Sequence, residues 1–156
     1  RIFMRKKLLL LCFLLLFLIA DYVLADERPE TTVNNFYAWY MENYDVYRDV
    51  FVEQKGNFDP ELYRLLVKAF PLQPKNDCFW LDFDPFINSQ MGAKSYSIGK
   101  EKMGDTKSSV VVNITNSRGG KNSVTVILRK IDGKWKISNF VYPEFELFGF
   151  LKKNMK

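Results

Sequence analysis

The sequence predicts an α+β domain in which N-terminal helices pack on a curved antiparallel β-meander, preceded by a secretory signal peptide. Three observations predict it. Apolar residues between positions 33 and 70 recur at steps of three and four. Four runs between 94 and 142 alternate apolar and polar residues, with short turns between them. The chain opens on a basic stretch, an uncharged apolar run and a small-residue site, in that order.

The opening segment holds Arg1, Arg5, Lys6 and Lys7, then thirteen uncharged residues at 8–20, then Val23 and Ala25 at the spacing that signal peptidase reads. This predicts a signal peptide over 1–25, cleaved near Ala25, and a periplasmic or secreted destination. Met4 is read as the start, with 1–3 translated from upstream. A retained anchor is the competing reading. Thirteen helical residues reach only roughly 20 Å, against a hydrocarbon core of roughly 30 Å, and extension past Asp21 would bury a carboxylate. A lipoprotein fits less well, because Leu11 precedes Cys12 where a small residue is needed. Membrane contact is therefore expected only through the signal peptide before cleavage.

Residues 26–156 then form one domain. Without the leader, 19 basic residues face 17 acidic ones and the net charge falls from +5 to +2. The basicity belongs to the leader, so no nucleic-acid partner is expected. Cys78 is left alone, which excludes an internal disulfide and leaves either a small buried hydrophobe or an intermolecular bridge.

Val33, Phe36, Tyr37, Tyr40, Tyr44, Tyr47 and Phe51 share one helical face, with Thr31 or Thr32 as N-cap. The spacing predicts a long helix to about Tyr44, continuing brokenly to Glu53. Asp59-Pro60-Glu61 starts a second helix, with a capping carboxylate, proline at the first position and the stripe Leu62, Leu65, Leu66, Ala69 and Phe70. Pro71 and Pro74 end it. Residues 78–86 alternate as a short edge strand or extended connector, with Asp82 and Asp84 on one side beside Trp80.

Four strands follow at 94–103, 108–116, 122–131 and 134–142, and Asp132-Gly133 marks a two-residue hairpin. One predicted face carries Tyr96, Ile98, Val110, Val112, Ile114, Val124, Val126, Leu128, Trp135, Ile137 and Val141. The other carries mostly Ser, Thr, Asn, Lys and Arg. Helices covering the apolar face would close a core.

The stretches 33–40 (VNNFYAWY), 80–90 (WLDFDPFINSQ) and 132–137 (DGKWKI) resemble the nuclear transport factor 2-like fold, a cone of curved sheet wrapped over helices. More narrowly, they resemble an exported bacterial family of unknown function with that fold. The resemblance spans nearly all of 26–156 and implies fold and export. It implies no activity, because the superfamily includes isomerases, dehydratases, ligand binders and protein-binding modules.

Catalytic chemistry has few candidates. The chain contains no histidine, which removes Ser-His-Asp and Cys-His pairs and the commonest zinc ligand. Gly119-Gly120 stands alone rather than in a phosphate loop, and Asn113-Ile114-Thr115 reads as a polar strand segment. No catalytic residue, metal site or cofactor is expected. Asp82 and Asp84 would cap a turn and pair with a nearby cation; as a functional pair they would act as acid or base, or bind calcium. Trp80, Asp82, Asp84 and Asn139 are the candidate ligand-binding residues. The inward set is aliphatic except at Asn139, so the cone is expected to be filled by Phe36, Tyr40, Phe70 and Phe83; an open cone would suit an apolar ligand.

Charge is uneven: residues 26–92 carry six basic and twelve acidic groups, and 94–136 carry ten basic and three acidic. Arg129, Lys134 and Lys136, on the wet sheet face and its turn, are candidates for an acidic partner. Residues 144–156 read as a short helix apolar around most of its circumference. Phe148 and Phe150 there either help close the mouth of the cone or meet a protein partner or second copy. The expected function is a non-enzymatic binding or accessory domain, envelope-associated or immunity-type. The alternative is a small apolar ligand binder or weak enzyme using the cone.

Overall fold

The amphipathic stripe of the first helix and the aliphatic face of the meander meet as two layers. The computed structural model describes residues 27–70, 81 and 83–155. The expected signal peptide over 1–25, Cys78, Trp80 and Asp82 lie outside the described residues. Helix α1 is Pro29–Glu42, a short α2 is Tyr47–Val50, a 3₁₀ turn runs Phe51–Asn57 and α3 is Pro60–Ala69. Strands β1 Ala93–Met103, β2 Lys107–Asn116, β3 Lys121–Ile131 and β4 Lys134–Val141 form an antiparallel sheet in sequence order, and α4 Leu147–Asn154 ends the described chain. The architecture is α+β, with helices followed by a four-stranded open sheet. Among the described residues no helix is long and apolar enough to cross a membrane.

Helix α1 starts earlier than the threonines suggest. Arg28 is the N-cap residue, Pro29 occupies the first turn, and no side chain of the preceding residues caps it. The cap comes from the sheet: the Glu30 N–H donates to the Glu101 carboxylate at 3.1 Å, and Arg28 pairs with the same group at 2.5 Å. Helix α3 is capped as its sequence predicts, with the Asp59 carboxylate accepting from the Glu61 N–H at 2.9 Å. The Asp59 N–H also donates to the Ile137 carbonyl at 2.8 Å, beside a parallel bridge from Phe58 to Ile137 that covers part of the β4 edge.

The β3–β4 hairpin is the two-residue turn expected: Asp132 and Gly133 have φ of 50° and 75°, the left-handed pair of a type I′ turn. Val110, Val112, Ile114, Val124, Val126, Leu128, Trp135 and Ile137 are buried, as the alternation predicts. The sheet has three register shifts, one of them at Ala93/Ser95 near the start of β1, and the other two change which residues face the core. On β4, Leu128 pairs with Ile137 but Ile127 with Asn139, so Ser138 is extra. The slip turns Phe140 and Tyr142 into the core and leaves Asn139 and Val141 half-buried on the opposite face, correcting the inward placement of both. On β1, Ile98 pairs with Val112 and Glu101 with Val110, so the Gly99-Lys100 bulge swings Glu101 inward to α1 and Lys102 outward. A Cβ on Gly99 would lie 2.9 Å from the Asn113 amide nitrogen, so glycine admits the bend.

Phe86 lies at the centre of the core. Its ring meets those of Phe36, Tyr40, Tyr47, Phe51, Phe58, Phe70 and Phe140 at centroid distances of 4.9 to 6.3 Å. The expected fillers Phe36, Tyr40 and Phe70 are buried, whereas Phe83 is half-buried and packs with Phe145 and Phe150.

Candidate functional site

Of the stretch 78–86 expected as an edge strand or extended connector, the described part from 83 enters the core as a turn: Asp84 and Ser89 form an antiparallel bridge around residues 85–88. Asn88 supplies a φ of 47°, a left-handed conformation that asparagine tolerates. Three tyrosines and an arginine hold the turn. Tyr37 donates to the Phe86 carbonyl at 2.6 Å and Tyr142 to the Pro85 carbonyl at 2.6 Å. Tyr40 donates to the Asp84 carboxylate at 2.7 Å. Arg48 donates to the Leu81 and Phe83 carbonyls at 3.1 and 3.0 Å.

Asp84 is buried, and its second oxygen accepts from the Phe86 N–H at 2.9 Å. Burial pushes its carboxyl above the usual range; the Tyr40 and Phe86 hydrogen bonds, and then the Arg48 charge, oppose that rise. The neighbouring Tyr40 and Tyr47 hydroxyls are driven upward by burial and then by the Asp84 charge, so both stay protonated as donors. Both Asp84 oxygens serve the chain itself, one fixing the turn and one fixing α1.

Asn139 lies apart from Asp84, at the junction of β4 and α4. Its carbonyl oxygen accepts from the Phe140 and Phe148 N–H groups, both at 2.9 Å, and its amide donates to Glu146. Glu146 in turn accepts from the Gly149 N–H at 2.8 Å and caps α4. A Cβ on Gly149 would press on that carboxylate, so another residue there would have to displace the Glu146 side chain. Helix α4 buries Leu147 and Leu151 and packs against α3 and β4.

The partner candidates fall into two groups. Arg129 and Lys136 are cross-strand neighbours on the outer sheet face. The Arg129 guanidinium lies 2.8 Å from the Asp59 carboxylate, and the Lys136 amine donates to the Gly56 carbonyl. Lys134 is exposed at the start of β4. Phe148 and Phe150 are half-buried on α4, with the Lys152 amine 5.1 Å above the Phe148 ring and Phe145 5.2 Å from Phe150.

Sequence reasoning missed the role of Glu101. The signal available was an acid in a strand otherwise rich in lysine, next to a glycine able to host a bulge. On the outer face of the sheet, small side chains leave a shallow depression of about 530 Å³ bounded by Ser95, Ser97, Asn113, Thr115, Lys121 and Ser123. Among the described residues no group of three or more acids or cysteines is placed to hold a metal ion.

The arrangement defines an α+β domain in which Asp84 holds one turn and Glu101, Asp59 and Glu146 cap three helices, while the buried Trp135 Nε1–H has no partner among the described residues. Comparison with protein-family models, curated proteins and solved structures gives no match.

Proposed function

We propose that the chain is an exported, non-enzymatic binding domain with nuclear transport factor 2-like architecture, acting by protein contact as an envelope accessory or immunity-type module. One observation carries the reading: the space between helices and sheet is occupied by aromatic rings around Phe86, and Asp84, the buried carboxylate beside it, is spent on Tyr40 and the Phe86 N–H. An enzyme or apolar-ligand binder on such a cone needs an open interior with free polar groups. Recognition then falls to the outer surface. Export rests on the order of basic, apolar and small residues over 1–25.

The test joins two measurements on the full chain recovered from its host. Mass spectrometry of its N-terminus is expected to find Asp26, and titration with benzene or an anilinonaphthalene dye is expected to give no saturable uptake. One equivalent of apolar probe bound at micromolar affinity would overturn the filled-interior reading. An uncut N-terminus in the membrane fraction would overturn cleavage in favour of the retained anchor, and an uncut chain in the cytoplasm would overturn export.

A further inference from the structure

The outer face of the sheet has a charge pattern set by register. Across one end, Lys107 pairs with Arg129 and Arg129 with Lys136, three cations side by side on β2, β3 and β4. Like charges directly opposed across strands work against the sheet, so stability alone does not account for them. In the next row Lys102 pairs with Ser109, and Ser109 with Ile127. No strand residue on this face is acidic; the acids that reach it, Asp59 at Arg129 and Glu146 at Asn139, come from the β4 side. The one acid within the four strands, Glu101, is swung inward by the Gly99-Lys100 bulge and spent on α1; Asp105 and Asp132 lie in hairpin turns. Asp59 compensates Arg129 from the β4 edge, and the Lys136 amine rests on a neutral carbonyl. Lys102 and Lys107 are exposed, with no anion against them among the described residues.

Beyond the cations the face turns half-apolar at Val111 and Ile127, and then to serine and asparagine. A small apolar centre bordered by polar and charged groups is the anatomy of a protein interface. We propose that this face, centred on Ser109 and flanked by Lys102, Lys107 and Lys136, docks an acidic protein surface. The inference rests on the protein-binding reading above and names the partner's chemistry: carboxylates placed to meet the cationic row, with an apolar group over Val111 and Ile127. The bulge therefore has two effects: it caps α1 and removes the one strand acid from the docking face.

The experiment places a photo-crosslinking side chain at Ser109, or separately at Phe148 on α4, in the full chain in its own host. Two charge-matched doubles accompany it: K102E/K107E on the proposed face, and K55E/K68E at exposed sites on the helical side. All four altered lysines are exposed, and thermal melts check that both doubles fold. The expected result is a Ser109 adduct whose partner segment is rich in Asp and Glu. Its yield should fall at least about tenfold in K102E/K107E, stay unchanged in K55E/K68E, and recover when the partner's acids are changed to lysine. Protein adducts from Phe148 alone would overturn the sheet-face proposal and leave the protein-binding reading standing. Adducts between two copies of the chain, or equal loss in both doubles, would also overturn it. No protein adduct from either position would overturn both.

Discussion

Replacing Phe86 with alanine probes the filled interior directly. The ring has no exposed surface and is enclosed by seven aromatic neighbours held by α1, α2, the 3₁₀ turn, the end of α3 and β4. Phe→Ala in a core costs about 3–5 kcal/mol, less where the surroundings can collapse and more where they cannot. Phe86 sits between elements already fixed to one another, Tyr37 to the Phe86 carbonyl and Phe58 to Ile137 among them, so the upper half of that range applies. For a domain of this size each kcal/mol moves the melting temperature by roughly 3–5 °C, which gives a loss of roughly 12–25 °C. The vacated space is dry and apolar, on the order of 100–150 Å³, and suits benzene. At benzene concentrations ten times its dissociation constant, binding restores about 1.4 kcal/mol, or roughly 4–7 °C. Calorimetry with and without benzene reads both numbers. An F86A loss below about 1 kcal/mol, or an equal benzene shift in the unaltered chain, would refute the claim that this ring fills the interior.

Three other perturbations follow from the hydrogen bonds. D84A strands the Tyr40 hydroxyl and the Phe86 N–H in the core and should cost about 2–4 kcal/mol by urea unfolding, whereas D84N keeps the Phe86 N–H on its amide oxygen and reverses the Tyr40 pair, the amide donating to the phenol oxygen, and should cost less, about 1 kcal/mol. Because the folded-state pKa of Asp84 is raised, its contribution is fully present below the unfolded value of about 3.9 and is lost as pH rises through the folded value. Stability of the unaltered chain relative to D84N should therefore fall with rising pH, and a rise would contradict the burial argument. E101A removes the acceptor of the Glu30 N–H and should lower stability by about 1 kcal/mol, read as a shift in urea midpoint with unchanged slope. N139A releases the Phe148 N–H and the hold on Glu146, so amides of α4 should lose about tenfold in hydrogen-exchange protection while those of β2 and β3 keep theirs.

What could be read from the residues was local. Asp59-Pro60 caps α3 because capping is a contact two residues long, and Asp132-Gly133 forms its turn because both residues accept positive φ. The alternation on β2 and β3 survives intact because neither strand is bulged against the other. The tertiary structure decided the remainder. One extra residue at Ser138 reverses the facing of all that follows on β4, so Val141 and Phe140 exchange places. Another extra residue, in β1, turns Glu101 from the solvent to the start of α1, 71 residues away from Glu30. The role of Asp84 depends on Tyr40, 44 residues distant, and that of Asn139 on the docking of α4. Composition, periodicity and caps made within a turn, such as that of Asp59, are governed by neighbours in sequence, so they were legible. Bulges and buried polar contacts are chosen by whichever distant groups the packed chain brings within hydrogen-bond reach, and no pattern along a single strand contains that choice.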